Sequence, residues 1–566
     1  MWLVAWANPN NKGAAVNSYF GFEIFTQFAN RFSDDKCIHK DDEGFFIIDG
    51  VLLNKKEFLK NDCQSIAEYI KISAKNDDIY FSKFKGPFTG CFYDNERGCF
   101  EAFGNQTGDA SLFFYYDQVQ FAVSSDFNML FDWCRKNNRQ LSFNPIALNH
   151  LLTLGYLTEG NTIIKEITML EPGEFIAFKD GELSTKTYHK FVFGKYSIVD
   201  INDAIEKVDV CFRKAVALCF EKDIEYGFPK HLVDISGGLD SRMTNWVARD
   251  LGYGDIVNTC YAQSGSNEET FGQLVSEKLG NEFYFEPLDN VEFIYDIEHI
   301  VRMNYGLSVY AGITGGERLL SGLDFETYGL EHTGQLGDVI LGYKENVLKS
   351  DGTLNTDAIA YSTIEKPVFK KADKITNGEE FAFYYRYFHG TLATHYIRRN
   401  YTEAVSPFID VDFAQLCFSI SPELRSNHKL YWEWIRRKYP EALDIPSTRS
   451  KESIRMKVYH MIPSNVGRTI IRICKKIGLT GVVSDRKGMN PFDLWYANNE
   501  EMRNFINSYF DEHIQAFSQY SKEKRLLETV MAGERVMDKL LVNTVLAAYY
   551  IYLQRPFTKS VINDME

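Results

Sequence analysis

Residues 231–243, HLVDISGGLDSRM, gather two serines, two glycines and an aspartate within positions 236–241. Small residues let backbone amides approach an anion closely, and a helix that follows adds the positive end of its dipole. The stretch therefore suits phosphate or pyrophosphate. Asp240 does not fit a simple phosphate cradle, because its carboxylate repels the ligand unless a cation lies between them. Mg²⁺ bridging Asp240 to a nucleotide is the economical explanation. The alternative is a glycine turn capped by Asp240 or Ser241. The chain contains no GxxxxGK[ST], which removes the commonest ATP-binding loop.

The flanks predict what positions this loop. Leu232, Val233 and Ile235 fit a buried strand ahead of the glycines, and Met243, Trp246, Val247 and Leu251 recur at helical spacing behind them. Up to about residue 190 the chain consists of short aromatic and β-branched runs such as GFFIIDGVLL and SLFFYYDQVQFAVSS, separated by Gly, Asp and Asn, which predicts a strand-rich domain. Beyond residue 200 helical patterns dominate, starting with INDAIEKVDVCFRKAVALCFEK, in which Cys211 and Cys219 fall on the apolar face with Val208, Phe212 and Val216. The boundary falls near YHKFVFGKYS, 188–197, giving domains of 1–190 and 200–566.

A chain of 566 residues exceeds what one hydrophobic core supports. Its net charge of −15 argues against a general nucleic-acid binder. The ten cysteines form no CxxC pair or metal spacing, so reduced structural thiols in a cytoplasmic protein are expected. MWLVAWANPNNKG lacks the basic region and apolar length of a signal peptide. LLVNTVLAAYYIYL, 540–553, is too short to span a bilayer, so no membrane is expected and a buried helix is predicted.

SGGLDS resembles the pyrophosphate-binding loop of the N-type ATP pyrophosphatases, and its surroundings resemble the synthetase domain of class B asparagine synthetases. DIVNTCYAQ followed by SGSNEETFGQLVSEKLG is similar to that family's second strand and helix, with Glu268 at its acidic position. EHTGQLGDVILGYKE, 331–345, resembles SGEGSDEVFGGY, and AVSPFIDVDFAQLCFSISPELR, 404–425, resembles the segment around VRVPFLD. The pieces occur in family order across residues 200–455. The resemblance implies a doubly wound parallel sheet with added helices behind a strand-rich N-terminal nucleophile (Ntn) hydrolase-like domain, an α/β and α+β chain. It also implies ATP binding, adenylation of a substrate carboxylate with release of pyrophosphate, and attack by ammonia or an amine. Ser236, Gly237, Gly238 and Ser241 match the pyrophosphate binders, Asp240 and Asp338 the two Mg²⁺ aspartates, and Thr333 and Gly334 the Ser-Gly beside the nucleotide. The carboxylate is expected on a small molecule, a glycan or a peptide, and a homodimer is allowed.

Departures from the family redirect the chemistry. Its glutamate in GEGSDE is Gln335 here, and a neutral amide orients a substrate but takes no proton. Lys451 in TRSKES matches the lysine that stabilises charge on the acyl-adenylate, and equally reads as a solvated surface lysine. Arg242 and Arg449 are further candidates to reach phosphates. The N-terminal half resembles a glutamine amidotransferase domain in FIIDGVLLNKKEFLK, FKGPFTGCFYD and MLEPGEFIAF, yet residue 2, where that family carries its nucleophilic cysteine, is Trp. Cys37 lies too far along to substitute. A scaffold without glutaminase activity is expected. Two alternatives to the ligase are an intramolecular cyclase, similar to β-lactam synthetases or lasso-peptide macrolactam cyclases, and a catalytically silent nucleotide-binding homologue.

Overall fold

Strand-forming runs fill the first third of the chain. In the computed structural model they are β1 (Trp2–Ala7), β2 (Phe22–Thr26), β3 (Cys37–Asp41), β4 (Gly44–Gly50), β5 (Phe88–Asp94), β6 (Cys99–Phe103), β7 (Phe113–Tyr116), β8 (Gln120–Ser124), β9 (Ile167–Met169), β10 (Glu174–Lys179) and β11 (Glu182–Thr187). The structure describes residues 1–566 except 8–18, 60–62, 77–78, 313, 344–346, 350, 356–358, 360–364, 372–374, 376, 449–487 and 556–566. The eleven strands form two antiparallel sheets, ordered β2-β1-β8-β7-β9 and β11-β10-β6-β5-β4-β3.

Apolar residues on alternating positions close the sheets face to face through Trp2, Val4, Phe22, Phe45, Phe100 and Phe121. Trp2 is fully buried there, its indole donating to the Thr89 hydroxyl at 3.1 Å. One outer face packs on the Ile66–Asn76 helix through Phe46, Ile48, Ile66 and Ile70. The other packs on helices Phe127–Lys136 and Pro145–Leu154. The result is the helix–sheet–sheet–helix layering expected of an Ntn-hydrolase-like fold.

Five strands, the central three buried along most of their length as in a parallel sheet covered on both faces, follow the 25-residue helix Ile201–Glu225. They are β12 (Lys230–Asp234), β13 (Ile256–Ala262), β14 (Glu282–Pro287), β15 (Tyr328–His332) and β16 (Ala404–Val405). All four pairings are parallel, in the order β14-β13-β12-β15-β16. The sheet is therefore wound outward from β12 in one direction and then, from β15, in the other. Val233 and Leu330 face the core shared with helices Ile201–Glu225 and Asp240–Asp250, while Leu232 and Val257 face Leu319 and Leu320. Cys219 is buried and Cys211 partly buried against this core, as the helical spacing predicts. The late apolar segment lies in the helix Val536–Tyr549, which is buried against residues 127–152 and 291–311. That helix and its extension to Gln554 are long and apolar enough to cross a membrane by length and composition, but the segment is 78% buried within the protein.

Buried charge ties the two sheet systems together. Asp35, wholly inaccessible, accepts from Lys55 at 2.8 Å, Lys222 at 3.0 Å, the Tyr226 hydroxyl at 2.7 Å and the Leu52 amide at 2.7 Å. Removing one member of such a cluster leaves uncompensated charge out of water. Asp35→Asn is expected to lower stability by about 3 kcal/mol, read as a shift of the urea unfolding midpoint by circular dichroism. An unchanged midpoint would show that the cluster does not hold the two parts together.

Candidate functional site

β12 ends at Asp234, and the chain turns through Ile235–Leu239 into the helix that begins at Asp240. The serines close this turn. The Ser236 amide donates to the Ser241 hydroxyl at 3.0 Å, the two hydroxyls lie 2.9 Å apart, and the Gly238 amide donates to the Ser236 hydroxyl at 3.2 Å. Gly237 is required by packing, since a Cβ there would lie 2.7 Å from the Asn267 carbonyl oxygen. Its amide donates to the Glu268 carboxylate at the start of the Asn267–Leu279 helix.

The second loop leaves β15 through Thr333, Gly334, Gln335 and Leu336, the last in the left-handed region at φ 69°, into the short helix Gly337–Ile340. A Cβ on Gly334 would lie 2.2 Å from the Ser241 nitrogen, and one on Gly337 would lie 2.8 Å from the Asp240 carboxyl carbon. With both residues glycine, the Asp338 amide donates to Asp240 at 3.0 Å across 98 residues of sequence. The Tyr431 hydroxyl donates to the other Asp240 oxygen at 3.0 Å.

Ser236, Asp240, Ser241, Glu268, Thr333, Gly334 and Gln335 line one cleft of about 250 Å³ at the carboxyl ends of β12, β13 and β15. Gly237, Gly238 and Asp338 belong to the same two loops without facing it. β12 and β15 are the neighbours between which the winding reverses, the place where open parallel sheets form ligand crevices. Lys451 and Arg449 lie outside the described residues. Arg242 does not face the cleft, contrary to the expectation that it reaches phosphates. It is buried and donates to the carbonyls of Ala442, Ile445 and Pro446, and burial pushes its guanidinium down to about 10. The helix turns this residue, directly after Ser241, inward.

Several residues that sequence reasoning missed share the cleft. Arg398, 2% exposed, donates to Asp234 at 3.1 Å, to Glu331, and to the Tyr261 hydroxyl at 3.4 Å. Asp234 closes β12 two residues before the glycine loop and Glu331 opens EHTGQ, so both carried a positional signal. Nothing local in HYIRRN marks Arg398. Burial pushes the Glu331 carboxyl up against the pull of Arg398, and pushes Glu268 up against the pull of the Gly237 amide. Gln335 is held at both ends of its amide: its nitrogen donates to the Thr394 hydroxyl at 3.0 Å and its oxygen lies 2.6 Å from His395 Nε2.

Residues 61–189 match the family model of a glutamine amidotransferase domain. The match lies within the antiparallel sheets and begins after β4, beyond the strand that carries Trp2. No curated protein matches the chain. Among solved structures, glutamine phosphoribosylpyrophosphate amidotransferase from B. subtilis complexed with ADP and GMP aligns at 10% identity over 50% of this chain and 84% of its own, with a TM-score of 0.24. The allosteric regulatory enzyme of purine biosynthesis aligns at 10% identity over 44% of this chain and 62% of its own, with a TM-score of 0.20. Scores this low carry no argument about architecture or activity.

Backbone contact at Gly334 yields a direct test. Gly334→Ala forces the two loops apart, at a cost of about 1–3 kcal/mol for overpacking, and is expected to speed amide hydrogen exchange at residues 236–241. Unaltered exchange there would mean that the loops do not press on one another.

Proposed function

We propose that the chain is an ATP-dependent, AMP-forming amide ligase of the asparagine-synthetase type, acting on a small-molecule, glycan or peptide carboxylate with ammonia or an amine. The observation that carries this reading is the meeting of the SGGLDS and HTGQLGD loops, with seven of the residues singled out from the sequence, at the crevice where the parallel sheet reverses its winding. The amidotransferase match supports the wider class, because such domains accompany C–N bond formation.

The residues fit Mg²⁺ and a nucleotide. The Asp240 carboxylate and the hydroxyls of Ser236, Ser241 and Thr333 line the cleft as an all-oxygen donor set, which suits a hard cation. Asp240 would hold the ion from the cleft wall, and Asp338, whose amide bonds Asp240, would join it by turning its carboxylate toward the cleft; the ion when bound supplies charge neutralisation between carboxylate and phosphates. Ser236, Gly237, Gly238 and Ser241 would bind the pyrophosphate part of ATP. Glu268 occupies the Gly237 amide, and burial raises its carboxyl above the ordinary glutamate value against the pull of that amide. An oxygen of the substrate carboxylate attacks the α-phosphorus, the bond to the bridging oxygen breaks, and pyrophosphate leaves. The amine then attacks the acyl carbon, AMP departs with the former carboxylate oxygen, and the amine proton passes to solvent or a carboxylate. Gln335 accepts no proton in this scheme.

The antiparallel half acts as a scaffold in this reading. Trp2 offers no thiol and fills the core. Burial pushes the thiols of Cys37 and Cys134 up to about 12 and raises those of Cys91 and Cys99, which leaves these four poor nucleophiles.

With its true acid, the enzyme is expected to yield AMP and pyrophosphate and to exchange labelled pyrophosphate into ATP only when that acid is present. ADP as the sole nucleotide product would defeat the reading. Asp240→Asn is expected to weaken Mg·ATP binding at least about tenfold, the scale of a lost charged-group interaction, with the fold retained; equal affinity by calorimetry counts against the assignment. Glutamine is expected to release no glutamate above background, and measurable release would restore a glutaminase role to the antiparallel half.

A further inference from the structure

Gln335 lines the cleft but accepts no proton, yet an amine that becomes an amide must shed one. The parallel sheet offers a carboxyl group for it. Asp234 closes β12 beside Thr259 of β13, and Leu232, two residues earlier, lies beside Glu331 of β15. Alternation along the strands therefore puts Asp234 and Glu331 on one face of neighbouring strands. Arg398, from the helix His395–Arg398, spans the two with one guanidinium nitrogen, 3.1 Å from Asp234 and bonded also to Glu331.

One guanidinium serves two carboxyl groups, so the cluster holds either a surplus negative charge or a proton. Arg398 is the single basic residue among the described residues that line the cleft. Glu331 is 2% exposed and lies behind the cleft wall, whereas the Asp234 side chain is 21% exposed and forms part of that wall. Asp234 Oδ1 accepts from the Thr259 hydroxyl at 3.2 Å and Oδ2 from Arg398, which fixes the carboxylate and leaves lone pairs on both oxygens. The other carboxylates of the cleft are engaged with its loops: Asp240 accepts from Tyr431 and the Asp338 amide, and Glu268 from the Gly237 amide. Burial pushes the Glu331 carboxyl up, with Arg398 opposing and the Asp234 charge adding to the rise. Cys260 and Tyr261 of β13 and His332 of β15 also stand in the field of Asp234.

We propose that Asp234 is a catalytic residue that takes the proton of the attacking amine, with Glu331 and Arg398 as its positioning residues. This inference rests on the ligase reading of the cleft. The amine nitrogen bonds the acyl carbon, the bond from that carbon to AMP breaks with its electron pair leaving on the AMP oxygen, and the N–H proton passes to Asp234 and then to solvent. Adenylation involves no amine and calls for no such acceptor. The two half-reactions therefore depend on Asp234 to different degrees.

With an acid that supports pyrophosphate exchange, hydroxylamine as the amine gives a hydroxamate. Asp234→Asn is expected to slow hydroxamate formation about a hundredfold more than it slows exchange, the scale of a lost general base. The wild-type hydroxamate rate is expected to fall as pH drops, because Asp234 takes a proton only when ionised, and the variant to lose that limb. Thr259→Val, a milder change, removes a bond to the ionised carboxylate and is expected to move the limb to higher pH. Equal losses in both half-reactions would reduce Asp234 to a structural role and overturn the proposal. An unmoved limb in Thr259→Val would overturn it as well, whether or not Asp234→Asn folds. A folded wild-type protein that shows no exchange with any acid would instead remove the ligase reading, and this inference with it.

Discussion

Two loops meet backbone to backbone at Gly334 and Ser241, closer than any side chain permits. That contact sets the spacing between the ends of β12 and β15, and through it the approach of Asp338 to Asp240. It is maintained at some cost. Leu336 is held in the left-handed region, a conformation that costs a non-glycine residue about 1 kcal/mol. The sheet makes the arrangement available, because strands that wind away in opposite directions leave no helix over the gap between them.

The antiparallel sheets are fastened to that crevice from below and beside. Arg31 donates to the carbonyls of Tyr328 and Gly329 at 2.6 and 2.7 Å, at the start of β15. Lys85 pairs with Asp410 at 3.2 Å, just past β16. Asp35 joins Lys55 from the same half to Lys222 of the long helix. Buried pairs of this kind add little net stability compared with well-packed apolar residues, because desolvation offsets attraction. Their effect is directional: each admits one partner in one geometry, which fixes how the two sheet systems sit. The hydrophobic core is shared as well, with Leu3 and Phe113 in the same cluster as Ile300 and Leu541.

Electrostatics in the cleft follow from the same burial. Asp234, Asp240, Glu268 and Glu331 bring four carboxyl groups to one crevice or its floor. Arg398 balances two of them, and burial favours the neutral forms of Glu268 and Glu331. An anionic ligand thus meets less negative charge than the composition suggests, provided that protons or a cation accompany it.

Much of the architecture was legible along the chain. Short aromatic runs became antiparallel strands, the apolar run before SGGLDS became β12, and LLVNTVLAAYYIYL became a buried helix, although with its extension that helix is long enough to cross a membrane, so length alone did not decide its burial. These are local properties, since period and burial of a segment depend mainly on its own residue types. The reading of Arg242 failed because its position after the serines said nothing of the Ala442–Pro446 turn that receives it. Arg398 and His395 carried no motif; each acquires meaning only from partners 60 to 164 residues away. Residue types and their order settled which elements form and singled out the two loops that meet at the cleft. Which side chains converge there, and with which proton on which atom, was decided by tertiary packing, because buried polar groups take their state from whatever partner the fold brings within hydrogen-bonding distance.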